Sequence, residues 1–223
     1  MNLFSVFQKS NPHKNDAPLW QNYFQYFEQK RSKKTPLRDL RFVVLDTETS
    51  GLDYKKDTML SVAALSVHNF QIEIGTRFEA FFYHENYQPD ESVAVHGILG
   101  RHLKNGQIEK EILTNFLTFL KDAIIVGHHI GFDVAMINQA LKKHFNLKLK
   151  NKTLDTAWLA KRVENPAAKG FNPMPLDVLC KQYQIPLGKR HTAAGDTFIT
   201  ALLFLKLLGK LERRGVQTLR DLF

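Results

Sequence analysis

From Arg41 onward the chain alternates short apolar runs with amphipathic stretches. Arg41 to Thr47, Thr58 to Val67 and Gln71 to Tyr83 are rich in β-branched, aromatic and apolar residues, and a tight link at His68-Asn69 joins the last two. They predict three opening strands. Ile112, Leu113, Phe116, Leu117 and Leu120 then recur at helical spacing, "AIIVG" is a short apolar strand ending in Gly127, and Val134, Ile137, Ala140 and Leu141 supply another helix face. Thr153 to Lys161, Pro175 to Tyr183 and Ala194 to Leu211 predict further helices, the first preceded by a very short strand. Strands first, then strands alternating with helices, give an α/β domain on a mixed sheet, whose ligands gather beyond the carboxyl ends of the strands.

Upstream, Trp20, Tyr23, Phe24 and Phe27 recur at helical spacing, and the basic run Lys30 to Lys34 with Pro36 follows. The pattern predicts an amphipathic helix and linker over 1–40, the α/β domain over 41–215 and a short tail over 216–223. A helix packed on the body of the same protein is favoured over one docked on a partner or a membrane surface.

Composition narrows the partners. A net charge of +9 and a sequence pI near 9.6 favour phosphate-rich partners or anionic lipid, and charge alone does not choose between them. Cys180 is the single cysteine, which excludes an intramolecular disulfide and a cysteine-rich zinc site and fits a reducing, cytoplasmic setting. The first residues lack a signal-peptide pattern, and "ALLFLKLL" is interrupted by Lys206 and too short to span a bilayer, so neither secretion nor a membrane span is expected.

The candidate chemistry lies at the predicted strand ends. Asp46 and Glu48 stand two residues apart, so on an extended strand they share a face and repel unless a cation or proton sits between them. An isolated Asp-x-Glu more often caps a turn and faces solvent. Asp133 follows the "AIIVG" strand, and His191 stands five residues before Asp196 at the start of the last long helix. Each has a plain structural alternative as a helix cap, a loop histidine or a first-turn acid. Four acids at strand ends and helix starts, without cysteine, describe a hard-cation site for Mg²⁺ or Mn²⁺ rather than zinc. His128 and His129 read as structural or substrate-facing, and Lys189 and Arg190 as part of a positive surface or a solvated basic loop.

Asp46-Thr47-Glu48-Thr49 with Gly51-Leu52, then "GHHIGFD", then His191 through Asp196 resemble the three motifs of the DnaQ-like 3′-to-5′ exonucleases of the DEDDh group, which include epsilon-type proofreading subunits of DNA polymerase III. "VAVHGI" and "LDTAWLAKR" add smaller matches, and the similarity runs from about Arg41 to about Leu208. The resemblance implies a ribonuclease H-like fold with a mixed five-stranded sheet. It implies Asp46, Glu48, Asp133 and Asp196 as ligands of two divalent cations, and His191 as general base. It also implies Leu52 as a wedge against the terminal bases, Glu91 and His96 as contacts to the terminal nucleotide, and Thr47, Thr49 and His129 beside the substrate. His128-His129 stands where many relatives have His-Asn.

The implied activity is removal of nucleotides from single-stranded or frayed DNA 3′ ends in proofreading or repair. RNA trimming and a non-catalytic binding module of the same fold are the alternatives, the latter disfavoured because all four acids and the histidine are present. A DNA polymerase is an implied partner. The tail "VQTLRDLF" faintly resembles sliding-clamp peptides through Gln217, Leu222 and Phe223, although an ordinary closing segment packed on the body is favoured.

Overall fold

The computed structural model describes residues 22–85, 87, 97–164, 174–188 and 190–223. Five strands, β1 (Phe42–Thr49), β2 (Met59–His68), β3 (Gln71–Phe81), β4 (Ile124–Gly127) and β5 (Thr153–Asp155), form one sheet in the order β3-β2-β1-β4-β5. β1 pairs antiparallel with β2 and parallel with β4, and β5 is parallel to β4. The parallel strands β1, β4 and β5 therefore all end at the same edge. The helices are α1 (Gly100–Lys104), α2 (Glu109–Leu120), α3 (Gly131–Phe145), α4 (Thr156–Glu164), α5 (Leu176–Gln182), α6 (Ala193–Glu212) and α7 (Leu219–Leu222).

The period of two along β1 sorts its side chains between two cores. Phe42 and Val44 pack with Leu159 and Val163 of α4 and with Leu203, Phe204 and Leu207 of α6. Val43 and Leu45 face the other way, against Ile112, Phe116 and Leu120 of α2 and Ile137 and Leu141 of α3. Burial of both faces by helices explains why β1 and β4 read as continuous apolar runs. Thr192 caps α6, its hydroxyl accepting from the Gly195 N–H at 3.1 Å.

Two of the predicted boundaries moved for identifiable reasons. The β2–β3 link is centred one residue later, with Asn69 and Phe70 both at positive φ (47° and 57°) and His68 already paired with Gln71. β3 stops at Phe81, because Phe82 turns to bridge Gln107. The register of this edge strand shifts between Leu65↔Arg77 and Ser66↔Glu73, a bulge that no local pattern announces.

Of the predicted N-terminal helix, residues 22–25 are helical, and Trp20 lies outside the described residues. Tyr23 is buried, donates its hydroxyl proton to Asn151 Oδ1 at 2.5 Å and accepts the Lys150 N–H at 3.0 Å, so this aromatic stretch packs on the body. The chain before β1 also pairs with the tail: Leu37 N–H donates to Gln217 O, Leu219 N–H to Thr35 O, and Leu37, Leu40, Leu219 and Leu222 enter the core. Leu222 is thus unavailable as a clamp anchor, and the tail is the packed closing segment that the sequence favoured. Among the described residues, no helix is long and apolar enough to cross a membrane.

Candidate active site

Alternation along β1 places the acids. Asp46 and Glu48 continue the face of Phe42 and Val44, the face covered by α6, and Asp196 lies in the first turn of α6. The three carboxylates consequently converge, with one oxygen from each within 4.8 Å of the others. Between Glu48 and Thr49 the β1–β2 register slips, an irregularity in the pairing immediately beyond the acids.

Asp133 arrives from the other side. It sits in the first turn of α3, which packs on the opposite face of β1, and Thr47 projects toward that face. Thr47 donates its backbone N–H at 2.9 Å and its hydroxyl at 2.7 Å to Asp133 Oδ1. Asp133 therefore lies beside the group of three without belonging to it. Thr47, read in the sequence as a substrate neighbour, holds a carboxylate in place.

The electrostatics are those of crowded acids. Burial raises the Asp46 carboxyl well above its ordinary range, and Asp133, Glu48 and Asp196 raise it further. Burial, then Asp196 and Asp133, pushes Glu48 up to about 7. Asp133 is raised to about 6, mainly by burial, against the bonds from Thr47 that favour its charge. Such a set of hard oxygen donors, strained by its own charge, fits a divalent cation, which would replace protons as the neutralising partner.

Arg190 supplies one positive charge to this cluster. Its Nε donates to Asp177 Oδ1 at 2.6 Å, and its Nη1 pairs with Asp196 Oδ1. With 18% of its side chain exposed, Arg190 turns into the site rather than out as a solvated basic loop, which corrects the surface role read from the sequence. Lys189 lies outside the described residues. Asp177, in the first turn of α5, was missed, since nothing local links it to a residue thirteen positions later.

His191 stands at the rim. Its φ is 60°, its backbone N–H donates to Asp196 Oδ2 at 3.3 Å, and its side chain is exposed, outside the group of three carboxylates. His128 and His129 stack with centroids 4.2 Å apart, and His128 Nδ1 meets the Thr156 hydroxyl at 2.9 Å. Burial, aided by His129, pushes His128 down to about 4, so it is a neutral structural imidazole, while His129 is exposed.

A fastened loop follows β1. Asp57 accepts from the Ser50 hydroxyl and the Asp53 N–H, and Thr49 donates its hydroxyl to Gly51 O at 2.7 Å. A Cβ on Gly51 would lie 2.6 Å from Asp57 Oδ2, so glycine permits the close approach. The tip holds Leu52 in solvent at 89% exposure. The hydroxyl of Thr49 thus braces this loop. Glu91 and His96 lie outside the described residues.

Residues 43–204 match the exonuclease family model named RNase T. The chain belongs to the RNase T exonuclease family. It is 33% identical over 182 residues to the PolC-type DNA polymerase III of Bacillus subtilis, covering 81% of this chain and 12% of that protein. It is 35% identical over 191 residues to an epsilon-like DNA polymerase III subunit protein of Rhodobacter capsulatus, covering 83% of this chain and 26% of that one. The chain therefore spans about a quarter or less of these relatives' length. Among solved structures, E. coli exonuclease I in complex with a dT13 oligonucleotide superposes with a TM-score of 0.65 at 18% identity, over 79% of this chain and 43% of that one. Exonuclease X in complex with 5′-overhanging duplex DNA superposes with a TM-score of 0.56 at 18% identity, over 75% of this chain and 91% of that one. The chain thus has the ribonuclease H-like fold that its sequence motifs imply, and its family agrees with the DnaQ-like resemblance of those motifs.

Proposed function

We propose that this chain is a metal-dependent 3′-to-5′ exonuclease that removes mononucleotides from single-stranded or frayed DNA 3′ ends, in proofreading or repair. The observation that carries the reading is the convergence of Asp46, Glu48 and Asp196 within 4.8 Å at the end of β1, with Asp133 tethered beside them by Thr47. These four carboxylates would hold two divalent cations, Mg²⁺ or Mn²⁺. When bound, such ions supply Lewis acidity at the phosphate and lower the pKa of an attacking water.

The protein's own groups supply the rest. His191, exposed at the rim and tied to Asp196 through its backbone, takes the proton of the attacking water at its imidazole. Leu52 on the braced loop stacks against the terminal bases, which frays a paired end and favours unpaired ones. Glu91 and His96 grip the last nucleotide, and exposed His129 replaces the usual asparagine as a donor and acceptor. The matched relatives are DNA polymerase III proteins, which supports association with a polymerase as the setting for this activity. The lone, buried Cys180 is consistent with work in the reducing cytoplasm.

Degradation of end-labelled single-stranded DNA, mismatched duplex and RNA, with Mg²⁺ or Mn²⁺ and with EDTA, tests the assignment. Mononucleotides should appear from the 3′ end, faster from unpaired than paired termini and faster from DNA than RNA. Robust cutting of circular single-stranded DNA would overturn it.

A further inference from the structure

The fold gathers exposed cations at the end of the sheet opposite the acids. β1, β4 and β5 run parallel, so the segments that lead into them meet at one edge, and these segments carry Lys33, Lys34, Lys121, Lys148, Lys150 and Lys152. All six are exposed. Specific bonds hold the segments together. Arg31 pairs with Asp122 at 2.5 Å, the Asn151 side-chain amide donates to Lys121 O and Ala123 O, and the Arg220 N–H donates to Lys33 O at 2.8 Å.

Little acid offsets this charge. Asp122 is spent on Arg31 and Asp221 on the Thr218 cap, which leaves Glu28 and Asp39 as the exposed acids in the segment from Asn22 to Arg41. Among the described residues, none of the six lysines is in an ion pair, whereas aromatic rings lie beneath three of them. Lys121 sits 5.7 Å from the Tyr26 centroid, Lys150 4.3 Å from Phe24 and Lys152 4.1 Å from Phe223. Like charges held this way by the backbone repel one another and call for an anionic partner, as the carboxylates across the sheet call for cations.

We propose that this face is a second nucleic-acid surface, which binds the sugar-phosphate backbone of single-stranded DNA away from the active site. The cations come from several chain segments set at strand spacing, about 4.8 Å apart, and form a broad platform suited to an extended polyanion rather than to a short acidic peptide. Rings beneath three of the ammonium groups hold those charges at the surface. Arg41, immediately before β1, and Asp46 are five residues apart along the extended chain, about 17 Å, so a strand end seated on the carboxylates does not reach this platform without wrapping the body. The inference rests on charge and placement and does not depend on the catalytic assignment.

Circular single-stranded DNA isolates this surface, since it offers no 3′ end. Its binding should be measured by anisotropy in EDTA across a salt series, for the wild type and for a protein carrying Lys33→Glu, Lys34→Glu and Lys148→Glu. None of these side chains makes a described contact. Three lost phosphate contacts should weaken binding by at least about tenfold and reduce the log K against log salt slope by about 2. Lys152→Gln alone should reduce that slope by about 0.7. Hydrolysis of a trinucleotide, too short to span both surfaces, should be unchanged in both variants. Unaltered affinity and slope for the circle would overturn the proposal. So would unaltered circle binding with a loss of binding to phosphatidylserine vesicles or to an acidic polypeptide, which would assign the face to lipid or protein.

Discussion

Thr47 gives both its backbone N–H and its hydroxyl to one oxygen of Asp133, 86 residues away in sequence. The strand that carries two acids thereby positions a third across its own opposite face. Thr47→Val keeps the shape and the N–H but deletes the hydroxyl bond, a charge-assisted contact worth about 1.5–3 kcal/mol. We expect kcat at saturating metal to fall about tenfold or more, with Thr47→Ser close to wild type. Equal rates in the valine variant would show that the hydroxyl bond is dispensable for placing Asp133.

Arg190 and a bound cation would compete for the same carboxylate. The guanidinium bridges Asp177 and Asp196, so its charge opposes cations bound beside Asp196 while relieving repulsion when none is bound. Arg190→Gln should therefore bind Mn²⁺ several-fold more tightly by calorimetry and melt at a lower temperature in EDTA. Weaker Mn²⁺ binding would instead make Arg190 a support that orients Asp196 for the ion.

Crowded acids also make the metal-free protein sensitive to pH. Glu48 titrates near 7 in the fold against about 4.3 when unfolded, so the folded state holds more protons in this window. Stability from this group is present below the unfolded value and is lost as pH rises through 7. Asp46, raised in the same direction, reinforces the loss. In EDTA the melting temperature should fall between pH 5 and pH 8. Asp46→Asn should flatten that fall and raise the melting temperature at pH 8 by at least about 3 °C, roughly what 1 kcal/mol gives in a domain of this size. Excess Mn²⁺ should abolish the wild-type fall. A pH-independent melt in EDTA would refute the repulsion.

How much of this could be read from the sequence follows the range of the interactions. Asp46 and Glu48 were legible as a pair because a period of two is local, and the apolar run before them fixed both the strand and its buried position. The start of α6 was legible from "HTAAGD", where a capping threonine and a first-turn acid follow each other. The links between Thr47 and Asp133, and between Arg190 and Asp177, were not legible, because tertiary packing alone brings those residues together. Arg190 was misread for that reason: two acids remote from its immediate neighbours draw a loop cation inward. The basic sheet edge was visible in the composition only as net charge, and becomes a surface once parallel strands align the segments that lead into them.

The mechanism is tested by separating charge from proton transfer. Asp133→Asn removes a negative charge from the buried acid that Thr47 holds, while nearly preserving its shape. His191→Ala removes an exposed side chain that stands outside the group of three carboxylates, so it should leave ion binding nearly intact. Calorimetry should therefore show weakened Mn²⁺ binding in Asp133→Asn and nearly normal binding in His191→Ala. Turnover should be nearly abolished in the first, and should fall by about 10²- to 10⁴-fold in the second, the range typical of a general base. The log of the wild-type rate should rise with pH until the base has lost its proton and then level off, and that rise should vanish from the residual activity of His191→Ala. Two outcomes would break the scheme: full activity with unchanged metal binding in Asp133→Asn, or a His191→Ala enzyme as fast as the parent at neutral pH.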